Sequence, residues 1–406
     1  MRSSLYLAGL LSALTNLQSA VASPVIFQLT ERHRLNPYPH KPRLTFKWDG
    51  TFKLTVFSDL HFGENPEGVW GPEQDKNSTI LMKTVLASEK PDYVYVATIC
   101  PLSSWISSTS FTTSVLNGDL VTGENTYKQN STLLIDQIVA PLNQARIPFS
   151  STHGNHDNQV NITHLEEIER EQRIAPLSYT RTAPAGVGGT EGPGNYWVPI
   201  YRHFWDRAPI LILWFFDSRG GVSTKPNSTA LPDWVDSSVA DWIKSESKAM
   251  ELAWGPADTR GALAFVHIPP HAVQALQTNL DSTKNPGLNA DTLGGGSVQA
   301  SNDPSTLGKD GPFWDALTGN VKNLHAIISG HDHGNEWCAR EPAKDVVFCF
   351  NKHSGYGGYG EPEWGYGVRN IVFRSPDPKK GVDTWIRLQG GETRARVTLN
   401  DTYGRK

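Results

Sequence analysis

Aspartate, asparagine and histidine recur just past five short apolar runs, in types and spacings suited to holding metal ions. The stretches are SDLH (Asp59, His61), NGD (Asn117, Asp119), GNHD (Asn155, His156, Asp157), VHIPPH (His267, His271) and GHDH (His331, His333). One histidine at a strand end is more often a hydrogen-bonded structural residue, and one Gly-Asn-His is more often a turn. Five such stretches in one chain point instead to a single constellation. Carboxylate and amide oxygens with imidazole nitrogens suit zinc, iron or manganese. No cysteine joins the set, which argues against a closed structural zinc site. A carboxylate can bridge two cations about 3.5–4 Å apart, and such a pair generates hydroxide at neutral pH and neutralises phosphoryl charge.

The elements that must carry these loops follow from the apolar patterning. Lys53 to Ser58, Asp92 to Val96, Pro148 to Thr152, Asn195 to Tyr201, Pro209 to Phe216, Ala262 to His267 and Ala326 to Ser329 read as strands, with more strand in Trp385 to Val397. Asp75 to Glu89, Thr132 to Ala145, His164 to Arg173 and Trp234 to Leu252 have helical spacing. The alternation predicts an α/β fold with a largely parallel sheet. Ligands in open α/β sheets bind beyond the carboxyl ends of the strands, where the polar stretches fall. Asn279 to Gly311 reads as a long surface loop.

The 406 residues carry a net charge of −4 and no basic run, which argues against a nucleic-acid partner. The N-terminus combines Arg2, an apolar stretch from Leu5 to Leu17 and the small-x-small site Ala20-Val21-Ala22. That pattern predicts a secretory signal peptide over residues 1–22 and no membrane association after its removal. The remainder, 23–406, reads as one domain, bound for the medium, the wall or a vacuole. Sequons at Asn77, Asn130, Asn161, Asn227 and Asn400 fit a secreted glycoprotein. Of three cysteines, Cys338 and Cys349 flank a possible hairpin and are compatible with a disulfide, which leaves Cys100 over.

The set DxH, GD, GNHD, HxPxH and GHxH resembles the calcineurin-like metallophosphoesterases, from Thr51 to about Arg396. The resemblance implies a four-layer α/β/β/α sandwich with two metal ions, iron, zinc or manganese, at strand ends. It implies that Asp59, His61 and His333 bind one ion, that Asn155, His267 and His331 bind the other, and that Asp119 bridges them. His156 would act as general acid, with Asp157 taking its other ring proton. Asn117 matches the family only loosely. The purple-acid-phosphatase-like fungal and plant branch is the nearest resemblance. Purple relatives carry a tyrosine three residues after the bridging aspartate; here that position is Thr122, so a colourless protein is expected. The implied activity is hydrolysis of phosphate monoesters through a metal-bound hydroxide. Phosphodiester hydrolysis of nucleotides or phospholipid head groups, and a catalytically silent binding glycoprotein, are the alternatives. His271 is either a substrate contact or a surface residue. Tyr356, Tyr359 and Tyr366 either line the pocket rim or pack within a Gly-rich hairpin. Oligomeric state is left open.

One segment breaks the pattern. Ala97 to Val115 is uncharged, rich in Ser and Thr, and holds Cys100. Joining Val96 to Leu116 gives PDYVYVLNGDLVTGENT, an unbroken strand and metal loop. The segment therefore reads as a translated, unspliced intron, with a lid insertion as the alternative.

Overall fold

The computed structural model describes residues 35–89, 113–224 and 229–405. The signal segment, Asp92 to Val96, Cys100 and the Asn227 sequon lie outside them. Two sheets pack face to face. The first has the order β1 (Leu44–Thr45), β5 (Tyr196–Tyr201), β6 (Leu211–Phe216), β7 (Gly261–Val266), β8 (Leu324–Ser329), β10 (Val346–Phe350), β9 (Cys338–Glu341). The second has the order β13 (Thr393–Leu399), β12 (Val382–Leu388), β11 (Gly367–Phe373), β2 (Phe52–Phe57), β3 (Thr113–Asn117), β4 (Phe149–Thr152).

Between the sheets Leu54, Val56, Val115, Leu213, Phe215, Leu263, Phe265 and Ile371 form one buried core. Helices α1 (Trp70–Glu89) and α2 (Leu133–Ala145) cover the outer face of the second sheet, with Leu81, Val85, Ile135 and Leu142 packed on Phe57, Leu116 and Phe149. Helix α3 (His164–Ile174) starts at a capping box: Thr163 Oγ1 accepts from the Glu166 amide, and Glu166 Oε2 accepts from the Thr163 amide. Helices α4 (Ser238–Trp254) and α6 (Gly311–Asn320) cover the first sheet through Ile243, Phe313 and Leu317. A short α5 spans Gln274–Gln277. The result is an α/β/β/α sandwich. Strands buried on both faces need near-continuous apolar runs, as in LILWFF of β6 and GALAFV of β7.

The sheets are mixed rather than largely parallel. Strands β6, β7, β8 and β10 run parallel, as do β2, β3 and β4. Strands β5, β9, β11 and β12 pair antiparallel with neighbours. The β9–β10 hairpin places Cys338 opposite Cys349, and the two form a disulfide. Asn279 to Gly311 holds no strand, yet Val298, Gln299 and Ala300 within it are buried.

The interrupted segment needs one correction. Its last residues, Thr113 to Val115, are not outside the sheet: they begin β3, aligned with Leu54 to Val56 on one side, while Ser114 and Val115 also align with Phe149 and Ser150 on the other. Thr113 Oγ1 and Ser114 Oγ are buried there without a hydrogen-bond partner. Excising Ala97 to Val115 would put Val94, Tyr95 and Val96 in those three places. Val94 in place of Thr113 removes one orphan hydroxyl, while Tyr95 in place of Ser114 exchanges one hydroxyl for another. The loss should stabilise the fold by about 1 kcal/mol, raising Tm by about a degree or two in thermal denaturation. A deletion variant that fails to fold, or melts lower, would show that the segment belongs to the domain.

Candidate metal centre

Strands β2, β3, β4, β7 and β8 end at one edge of the sandwich, and each is followed by its polar loop: Asp59 and His61, Asp119, Asn155, His267, and His331 with His333. The loops are laced together by backbone. The amides of Leu60 and His61 both donate to the Asp119 carbonyl (2.8 and 3.0 Å), and the Asp59 amide donates to the Gly118 carbonyl (3.0 Å). Asp59, His61, Asp119 and His331 have φ of 56°, 50°, 46° and 75°, a left-handed conformation that costs non-glycine residues of order 1–3 kcal/mol each. Gly118 (φ 83°) and Gly154 make the approach possible: a Cβ on the first would overlap His267, and on the second the Asp119 carboxylate.

Two clusters of donor atoms result. Asp59, His61 and His333 form one, and Asp119, His267 and His331 the other; within each the ligand atoms lie within 4.8 Å of one another. The clusters adjoin. Asp119 Oδ2 lies 3.0 Å from His267 Nε2 and 3.8 Å from His61 Nε2. Asp59 Oδ1 lies 3.7 Å from His333 Nε2 and 3.9 Å from His267 Nε2.

Each imidazole is held by its other nitrogen. His267 Nδ1 donates to the Asn117 carbonyl (2.9 Å), His333 Nδ1 to the Tyr359 carbonyl (2.6 Å) and His331 Nε2 to the Gly296 carbonyl (2.7 Å). His61 Nδ1 meets Thr122 Oγ1 at 3.2 Å. A carbonyl can only accept, so the opposite nitrogens of His333 and His331 present lone pairs, the arrangement metal-ligating histidines require.

The fit to cations rests on what these atoms lack. His61 Nε2 faces His333 Nε2 at 3.2 Å. Burial holds both rings far below the ordinary histidine range, with Asp119 opposing it and the neighbouring histidine rings adding to it. Both rings are therefore neutral, and the Thr122 hydroxyl can donate to His61 Nδ1 or accept from it, so His61 Nε2 can turn a lone pair to the same point as His333 Nε2. His267 Nε2 stands 3.0 Å from Asp119 Oδ2; against burial, Asp119 holds the His267 pKa up at about 9, and Asn155 Oδ1 is buried without a partner. Burial also lifts Asp59 to about 6, with His267 opposing and Asp119 reinforcing the shift. Cations in the centre would give the neutral His61 and His333 nitrogens and Asn155 Oδ1 a partner, ionise Asp59 and take the place of the His267 proton.

His156 sits on the 3-10 turn Asn155–Asp157, its amide donating to Asp119 Oδ1 at 2.9 Å. Its ring packs edge-on to His61 at 5.0 Å, with the side chain 33% exposed. The expected partner is corrected here. His156 Nδ1 pairs with Glu124 Oε1 at 2.6 Å, not with Asp157. Burial alone would lower the His156 pKa, but Asp119 and Glu124 raise it to about 9. Asp157 instead accepts three backbone amides, from Leu120 (2.7 Å), Val121 (2.8 Å) and Gly154 (2.8 Å). It ties the β3 loop to the β4 loop. Asp157→Ala would strand those donors and cost about 3 kcal/mol. The check is a clear drop in Tm with and without chelator; an unchanged Tm would contradict the strut role.

Other residues sort by contact. Asn117 is a clamp: its Oδ1 accepts from Thr152 (2.8 Å) and its carbonyl from His267 and Ser58. Thr122 supports the His61 ring through its hydroxyl. His271 joins neither cluster; its amide donates to Asp310 (2.8 Å). Tyr356 stacks on Tyr366 at 4.0 Å and bonds Gln389, so these two are packing residues. Tyr359 stacks flat on His333 at 4.0 Å, and its hydroxyl accepts from the His333 amide. Of the three tyrosines weighed from sequence, only Tyr359 reaches the centre; Glu124 and the Gly296 carbonyl were not singled out. For Glu124 the signal was present: an acid five residues after Asp119 in the same loop.

A model of the family described as calcineurin-like phosphoesterase matches residues 52–335. The chain is 27% identical over 98% of its length to "Probable inactive purple acid phosphatase 28" of Arabidopsis thaliana, covering 92% of that protein. It is 26% identical over 84% of its length to "Phosphatase DCR2" of Saccharomyces cerevisiae, covering 54% of it. A solved dimetal phosphatase from Danio rerio aligns with 87% of this chain and 100% of its own, at 9% identity and a TM-score of 0.49. Strand-end loops, paired donor clusters and the family match lead to one conclusion: the chain belongs to the calcineurin-like phosphoesterases.

Proposed function

We propose that this chain is a secreted phosphatase that hydrolyses phosphate monoesters at a pair of iron, zinc or manganese ions. The observation that carries the reading is the pair of adjoining buried donor clusters with His156 beside them. Asp59, His61 and His333 would hold one ion; His267, His331 and Asn155 the other; Asp119 would contact both. When bound, the ions supply Lewis-acid polarisation of the phosphoryl group and neutralise its charge. The protein supplies the rest. Glu124 fixes the His156 ring through Nδ1 and leaves Nε2 to the substrate. His156 delivers a proton to the leaving oxygen, and its amide keeps the Asp119 carboxylate in place. Thr122 carries no phenol, so the loaded protein should be colourless.

Secretion rests on the N-terminal pattern; no helix among the described residues is long and apolar enough to cross a membrane. Exposed Asn130 and Asn400 suit glycosylation. Asn161 does not, because its amide already donates to Thr126 (2.7 Å) and Gly123 (3.3 Å). The test compares turnover of p-nitrophenyl phosphate with its bis-ester on metal-loaded protein. Monoester preference is expected. Faster bis-ester turnover would make it a diesterase, and bound metal with neither activity would make it a binding protein.

A further inference from the structure

The parallel strands run toward the metal centre, so their starts define an opposite end of the sandwich. There, four separate segments enclose a hollow of about 440 Å³: the approach to β8, the β9–β10 turn, the β11–β12 turn and the chain after β13. Its lining includes the cationic residues Lys322, Arg340, Lys344, Lys379, Lys380 and Arg405 and the acidic residues Asp345 and Asp401. The chain as a whole is net negative, at −4, so this surplus is local.

The internal pairings leave the surplus standing. Asp345 is already shared between Arg340 (3.0 Å) and Arg405 (2.5 Å). Arg340 is fixed further by the carbonyls of Tyr403 (2.6 Å) and Asn400 (2.8 Å), which hold its charge in place without cancelling it. Lys344 reaches Asp315 at 2.7 Å, and Lys322 donates to the Gly319 carbonyl. No carboxylate among the described residues pairs with Lys379 or Lys380, which stand side by side in the β11–β12 turn.

We propose that this hollow binds a compact anion bearing several phosphate or sulfate groups, at a site separate from the metal centre. Its volume falls in the ordinary range for small-ligand pockets of about 300–1,000 Å³. A single orthophosphate would meet only part of a cation set spread over four segments, whereas clustered anionic groups can answer several at once. Lysine ammoniums act as compact point charges on flexible stems and adapt to such a ligand. A soluble oligophosphate and a phosphorylated lipid head group share this chemistry. The inference stands apart from the hydrolytic reading, since no metal ligand lines the hollow.

The test titrates the metal-loaded full chain with inositol hexasulfate, which offers sulfate rather than phosphate esters, by calorimetry at low salt. One saturable site is expected. K379E/K380E should weaken it about ten-fold or more, with Tm and p-nitrophenyl phosphate turnover unchanged, because both lysines are exposed in a turn. Pelleting with phosphatidylcholine vesicles that contain phosphatidylinositol bisphosphate, lost in the same variant, would assign the site to lipid head groups. Hexasulfate binding without pelleting would assign it to soluble anions. Absence of saturable binding, or equal affinity in wild type and variant, would overturn the proposal.

Discussion

His156→Ala should lower monoester turnover by about 10²–10⁴-fold while leaving metal content unchanged. The ring belongs to neither donor cluster, so its loss removes no ligand. Its backbone amide, which donates to Asp119, survives the substitution. What disappears is the one imidazole at the centre that is both a third exposed and fixed by a carboxylate, Glu124. An ester with a good leaving group such as p-nitrophenolate needs less protonation than an alkyl ester. The deficit should therefore be larger for an alkyl phosphate. Near-normal turnover of both esters would remove His156 from the chemistry, and loss of metal would show that its role is to hold the site.

Asp119→Asn should have the largest effect on the metals themselves. Asparagine tolerates the left-handed conformation at φ 46°, so the backbone can stay. The change removes the negative charge whose Oδ2 stands nearest both clusters. Bound metal should fall well below two equivalents, and turnover by on the order of a thousandfold or more. Asp119 also shapes the electrostatics of its neighbours, raising the pKa of His156 and of Asp59. Full metal occupancy in this variant would mean that the two clusters bind independently and that Asp119 bridges nothing.

The metal loops were readable because chemistry forces polar residues onto the ends of apolar strands, where packing alone would not select them. Their supports were less so. The Gly296 and Tyr359 carbonyls that fix His331 and His333 have no side-chain signature. Asp157 stands next to His156 in sequence, yet on the 3-10 turn its carboxylate faces backbone amides and the His156 ring faces Glu124. Strand β11 escaped notice because Arg369 and Asn370 interrupt its apolar run. Arg369 is nonetheless fully buried, its guanidinium satisfied by the Phe350 and Glu336 carbonyls and Thr384 Oγ1. Strand β3 was legible as LNGD but not in its first three residues, since Thr and Ser read as loop where sheet pairing on both sides makes them strand.

Elemental analysis of the purified chain tests the central claim most directly. Two equivalents of iron, zinc or manganese per chain are expected, removed by chelation and restored on reloading together with phosphatase turnover. A single equivalent, or none under conditions where the chain is folded, would contradict a paired-cation centre built from Asp59, His61, Asp119, Asn155, His267, His331 and His333.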